Sequence, residues 1–270
     1  MRLFVSGLRK LVRRPATYVT YGLLAALLVL IIIAVGATGG RGSSGRSSAA
    51  ALSIVTFPGA YDAILAFILG LGGLFAVVYG AAVAGSEWTW GTLKTVVARG
   101  ESRSRYMLAT FGAIAVVTAA ALLVSFAVGV GAAVVGARLA GVSLDGIGNN
   151  DAIGRLPEQF LRGYVAIVME GAIGFAVATL ARSQLAGIGA GIALYFGEGF
   201  ASIFLPDIIK YLPFDLATAA LGPSSFGGGG GPAGPAEPLS ADFALLLVGV
   251  WLVGSLVVAA GFAERAEITG

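Results

Sequence analysis

Six long apolar stretches, separated by short polar connections, constrain this chain more than any other feature. They lie at about 17–36, 59–84, 106–137, 161–181, 186–205 and 241–262. A membrane-spanning helix needs roughly 20 mainly apolar residues, and each stretch meets that requirement. In a bilayer, backbone groups must be satisfied within the segment, which leaves helices as the spanning structure for runs this long. Composition agrees: 57% of the residues are hydrophobic and 11% are charged, against about 25% charged in a soluble domain. The expected fold is an all-α polytopic membrane protein. It is a single transmembrane domain over 1–270, with six spans and an amphipathic helix ahead of them.

The third stretch is long for its task. At about 1.5 Å per residue it reaches about 48 Å, against a hydrocarbon core of about 30 Å. It must tilt, project or break, and Gly129 and Gly131 are the candidate break points. The first stretch follows a basic start, as in a signal peptide, but its apolar run is too long for that reading. A retained anchor is expected.

Basic residues set the orientation. With both termini cytoplasmic, 11 of the 17 Lys and Arg residues lie inside, and eight of the 14 acidic residues lie outside. Arg9, Lys10, Arg13 and Arg14 cast the strongest vote. The expected location is the cell (inner) membrane, multi-pass.

Residues 1–15 read as an amphipathic helix. At about 100° per residue, Phe4, Val5, Leu8, Leu11 and Val12 share one arc. Arg2, Arg9, Lys10, Arg13 and Arg14 share the other, and Pro15 ends the helix. Such a helix lies at the membrane surface with its basic side toward anionic headgroups. The loop from Gly39 to Ser48 and the Gly/Pro-rich stretch from Pro223 to Pro238 read as linkers. The segment from Pro206 to Ala220 is too apolar for a solvated loop, and is expected to lie on the outer interface or re-enter the membrane.

With no cysteine and no histidine in the chain, imidazole bases, thiolate chemistry and His/Cys metal sites are excluded. No G-x-x-x-x-G-K-[ST] phosphate loop occurs. No catalytic residue, metal site or cofactor is expected in this chain, and nothing points to nucleic acid. Two acidic residues fall inside spans, Glu170 and Glu198. A charge at mid-span costs about 2.5–3.5 kcal/mol on insertion scales, so such residues face the bundle or a watery cavity. Glu170, beside Gly171 and Gly174, reads first as a helix-locking or protonated group and second as part of a substrate pathway. Glu198 reads either as such a locking group or, with Tyr195, Phe196 and Phe200, as the lining of a pathway for an amphipathic or cationic substrate.

The most distinctive segment is Ser86-Glu-Trp-Thr-Trp-Gly-Thr-Leu-Lys-Thr-Val-Val-Ala-Arg-Gly-Glu-Ser-Arg-Ser-Arg-Tyr106. The topology places its 86–105 portion in the cytoplasm between two spans. Thr92 is a candidate N-cap, Leu93, Val96 and Val97 share a helical face, and Gly100 ends the helix. A short helix held between two spans is a lever, because motion imposed on it passes to both.

The residue order Glu87, Trp88, Gly91-Thr92-Leu93, then Arg99 to Ser102-Arg103, resembles the loop between the second and third spans of short type-2 ABC-transporter permeases. Gly100 stands where that family has proline, and Thr110 where it has lysine. The amphipathic start, the six spans, the hairpin Arg182-Ser183-Gln184 and the apolar segment Tyr211-Leu212-Pro213-Phe214 fit the same family. The resemblance implies an exporter membrane subunit driven by two copies of a separate ATPase, with ATP and Mg bound there and not here. It also implies a second permease chain, expected to be another copy of this one. The loop would be the coupling helix, with Glu87, Trp88, Gly91, Thr92, Leu93, Lys94, Val96, Val97, Arg99 and Arg103 as ATPase contacts. Two other classes compete: an ion-coupled secondary transporter using Glu170 and Glu198, and a non-transporting membrane scaffold.

Overall fold

The computed structural model describes residues 2–39, 51–221 and 239–266. Most of the Gly39–Ser48 linker and all of the Pro223–Pro238 stretch lie outside these residues. Among the described residues the chain is helical, with no strand. The helices are α1 (Arg2–Val12), α2 (Pro15–Gly39), α3 (Gly59–Thr89), α4 (Thr92–Ala98), α5 (Arg103–Ala140), α6 (Asn150–Ala181), α7 (Gln184–Ala201), α8 (Pro206–Ile209), α9 (Pro213–Ala219) and α10 (Ala241–Arg265). Five of them, α2, α3, α5, α6 and α10, are long and apolar enough to cross a membrane.

The remaining expected span, 186–205, differs from the expectation. Its helix, α7, has 18 residues and stops at Ala201, and the turn at 202–204 and the short α8 follow. Gly197 and Gly199 flank Glu198 there, and together they lower both apolarity and helix propensity. Of the three expectations for the long third stretch, a break at Gly129 or Gly131 does not occur, which leaves tilt or projection. α5 runs 38 residues without interruption, about 57 Å at the α-helical rise. Gly129 is a packing position instead: a side chain on it would meet Leu28 and Ile64.

Side-chain caps punctuate the chain where the backbone needs acceptors. Ser102, Asn149, Ser183 and Ser240 each accept a hydrogen bond from an amide in the first turn of α5, α6, α7 and α10.

α6 is the central helix. Of its most apolar window 72% is buried, against 28% for α2 and 17% for α10, so those two form the periphery. α3 packs along α6 more extensively than any other pair, and α2 packs on α5. Apolar attraction cannot drive helix pairing in lipid, so close van der Waals approach must. Small residues supply it. A Cβ on Gly80 would strike the Gly171 carbonyl, one on Gly174 the Val77 carbonyl, and one on Gly36 the Gly136 backbone.

The Pro206–Ala220 segment turns back into the bundle. Leu216, Ala217 and Ala220 are buried against Ala166, Met169 and Ile173 of α6 and Ala244 and Val248 of α10. The segment is also tied down by polar contacts. The Trp251 indole N–H donates to the Tyr211 carbonyl at 3.2 Å.

Candidate functional site: the α1–α4 junction

One end of the bundle gathers most of the described basic residues and two of the chain's three tryptophans, Trp88 and Trp90. α1, the end of α3, α4, the start of α5, the α6–α7 turn and the end of α10 all meet there. At its centre is Glu87, fully buried. Lys10 donates to its Oε1 at 2.6 Å and the Tyr106 hydroxyl to its Oε2 at 2.7 Å. Arg14 stands 3.8 Å from Oε1 and donates to the Ser86 hydroxyl at 3.0 Å. A buried carboxylate is tolerated only when paired and hydrogen-bonded, and both of its oxygens are served here. The Glu87 cluster therefore joins α1, α3 and α5.

Around it, cations stack on rings. The Arg14 guanidinium lies 4.7 Å from the Trp90 ring centroid, and Arg182 lies 5.4 Å from Trp88 and 5.3 Å from Phe262. Such contacts contribute about 0.5–1 kcal/mol each when exposed. Arg103 donates to the Ala266 carbonyl, and the Ser104 amide to Glu264 at 3.0 Å. These bonds tie the entry of α5 to the exit of α10.

α4 is suspended in this frame by two glycines with positive φ, Gly91 at 63° and Gly100 at 75°. The helix begins directly after Gly91, with no side-chain cap, so Thr92 is its first residue and not the expected N-cap. At its other end Gly100 N–H donates to Val97 O at 2.9 Å and Glu101 N–H to Val96 O at 3.3 Å. This is the paired closure of a Schellman motif, which asks for a left-handed residue at this place. Glycine takes that conformation freely, and proline, held near φ −65°, cannot. The departure at Gly100 thus changes how the helix ends.

The ten expected contact residues separate into three sets. Glu87, Leu93 and Val96 are buried within the chain. Lys94, Val97 and Arg99 face outward, as does the neighbouring Trp90. Trp88, Gly91, Thr92 and Arg103 are half-buried. Val97 therefore leaves the face it was expected to share with Leu93 and Val96. On α1, Phe4, Leu8 and Leu11 pack against the core, while Val5 and Val12 stay exposed. The aromatic partner that sequence reasoning missed is Phe262, 174 positions from Trp88 and 80 from Arg182, for which local order carries no signal.

The second expected group also divides. Glu198 Oε2 accepts from the backbone N–H groups of Phe214 and Asp215, at 2.9 and 3.4 Å, so it holds the start of α9. Tyr195 shares its side of α7: its hydroxyl donates to the Gly70 carbonyl at 2.8 Å and its ring meets Phe214 edge-on at 5.2 Å. Phe196 and Phe200 are 60% and 69% exposed; the Phe196 ring meets Tyr195 edge-on at 5.4 Å, while Glu198 is buried. Glu170 is 3% exposed, and its Oε2 has no hydrogen-bond partner among the described residues. Its carboxyl occupies the space that Gly73 leaves open on α3. Replacing Glu198 with Ala should free the start of α9, speeding amide exchange at 214–216 about tenfold or more. Hydrogen–deuterium exchange with fragment readout checks this.

Long apolar helices with a polar junction at one end define a multi-pass helical membrane protein. The family model described as a protein of unknown function, DUF2705, matches residues 42–265, and the chain belongs to that family. No curated protein matches the chain.

Proposed function

We propose that this chain is the membrane subunit of an ATP-driven exporter of the type-2 ABC class, with a separate ATPase acting on α4. The observation that carries the reading is the setting of α4. It is a seven-residue helix between the ends of two membrane-length helices, seated by Leu93 and Val96 and presenting Trp90, Lys94, Val97 and Arg99 outward. The residue order from Glu87 to Arg103 supports the same assignment. In this reading α7, with the turn and α8 after it, supplies the sixth span. α1 lies in the inner interface, both termini are cytoplasmic, and α8–α9 re-enter from the outer side. ATP binding would close the motor dimer and push α4, and the buried Glu87 cluster would carry that motion to α1, α3 and α5. A second copy of this chain would complete the pathway.

The test uses residues that face outward, since Leu93→Asp would damage packing as well as any contact. With the cognate ATPase co-expressed, Val97→Asp combined with Lys94→Glu should leave folding intact, abolish co-purification and reduce substrate-stimulated ATP hydrolysis at least tenfold. Full binding and full transport by that variant would exclude α4 as the coupling element. Ion-coupled transport is the second reading, and the unpartnered carboxyl of Glu170 favours it. It requires uptake or efflux in vesicles holding this chain alone, driven by a pH or sodium gradient and lost in Glu170→Gln.

A further inference from the structure

Four basic residues at the end of α1 and in the turn after it, Arg9, Lys10, Arg13 and Arg14, do not act as one face. Helical geometry and burial split them into two sets. Lys10 and Arg14 turn toward the bundle, where they hold Glu87, Ser86 and the Trp90 ring. Arg9 and Arg13 face away from it, exposed, with no ion pair among the described residues, beside the exposed Val5 and Val12. α1 has no acidic residue in its sequence. Its outward surface is therefore cationic with an apolar border, although its apolar stripe is already spent on α5: Gly7 sits against Ala113 and Phe4 against Gly112.

Two further contacts make α1 rigid relative to its surroundings. The Thr17 hydroxyl donates to the Leu11 carbonyl at 2.7 Å and lies 2.8 Å from the Tyr79 hydroxyl. The end of α1, the start of α2 and the last turns of α3 are thus one unit. α2, apolar enough to cross a membrane, begins at Pro15, two residues after α1 ends. That spacing sets α1 at the depth of the headgroups, where phosphate is the complementary charge.

We propose that the outward face of α1 (Val5, Arg9, Val12 and Arg13) docks on anionic phospholipid headgroups and, through Lys10 and Arg14, thereby fixes the position of α4. The lipid is a ligand of the junction. Arg9 and Arg13 hold phosphate, the two valines enter the upper acyl region, and the Glu87 cluster transmits the restraint to Trp90 and Gly91. The proposal rests on the placement of α2 in a membrane and needs no ATPase.

The test places the purified full chain in nanodiscs of phosphatidylcholine alone and of an equal mixture with phosphatidylglycerol. Amide exchange is followed in α1 and α4. Each basic side chain near an anionic surface contributes about fivefold, so the pair should slow exchange by about 30-fold in the anionic discs, in α1 and α4 together. High salt should remove most of the effect, because these charges are exposed. Arg9→Gln with Arg13→Gln should exchange in anionic discs as the parent does in phosphatidylcholine. In phosphatidylcholine, where the face has no anionic ligand, the variant should keep the parent's thermal midpoint, because both side chains are exposed. Equal exchange in the two lipids, or an unchanged lipid effect in the variant, overturns the proposal. Protection confined to α1 overturns the transmission to α4. Protection in phosphatidylcholine that appears only when an ATPase is added makes the face a protein-docking surface and also overturns it.

Discussion

Replacing Glu87 with Gln should loosen the whole junction end while leaving the far end of the bundle intact. The change keeps the shape of the side chain and removes its charge. Lys10, with a side chain one-third exposed, would then face a neutral amide, and the Tyr106 hydroxyl would lose its charged acceptor. Breaking a buried pair by removing one partner costs about 3–5 kcal/mol. The partial exposure of Lys10 brings the expectation down to about 2–3 kcal/mol, near the value of a charge-assisted hydrogen bond. Urea or heat titration in detergent should show the loss, and exchange should rise in α1 and α4 but not in α9. A double-mutant cycle with Lys10→Met isolates the pair. If the Gln variant matches the parent in both stability and exchange, the cluster does not join α1, α3 and α5 as argued.

Gly80→Leu should have a larger effect still, and a different one. A Cβ at this position would overlap the Gly171 carbonyl on the facing helix, with Phe175 N close behind. Backbone cannot swing aside as a flexible side chain can, so α3 and α6 must separate. Overpacking costs about 1–3 kcal/mol where side chains can give, and here the expected loss is at least about 3 kcal/mol. Separation also gives up the close contact that holds helices together in lipid. The expected readout is loss of the monodisperse peak in size-exclusion chromatography and a strongly lowered thermal midpoint. Gly254→Ala serves as the control, since nothing stands within 4 Å of a Cβ there. It should be neutral or gain up to about 1 kcal/mol from helix propensity. A Gly80→Leu protein as stable as that control would show that the α3–α6 approach is not needed for assembly.

The two variants separate what is local in this chain from what is not. Glu87 is visible in the sequence as an acid ahead of a tryptophan and a Gly-Thr-Leu, so that it matters was legible. Its partner was not, because Lys10 lies 77 positions away and a basic amphipathic helix offers five equivalent candidates. The division of α1 into an inward and an outward basic pair follows from where α5 lies. The same holds for α4. Its bounds follow from Gly91 and Gly100, but that Val97 faces out while Leu93 and Val96 face in depends on the helices beneath it. Glu198 carried a charge signal in an apolar run. Only the return of the chain at Pro213 decided that its carboxylate would meet two amides.

Hydropathy and turn chemistry are short-range properties, and they were enough to determine a helical membrane protein, most span positions and the glycine-bounded α4, but not the N-caps: Thr92 is not one, and Ser102, Asn149, Ser183 and Ser240 are. They also overreached where length was the criterion. The stretch at 186–205 has the apolarity of a span over part of its course, yet the glycines around Glu198 and the turn at 202–204 end its helix early. Gly129 looked like a break, because a glycine within a helix is weak on its own account. In the bundle it is a contact for Leu28 and Ile64, and the helix continues through it. Which glycines are breaks and which are contacts, and which charges are buried, depend on atoms brought together from distant parts of the chain. Tertiary packing alone decides those.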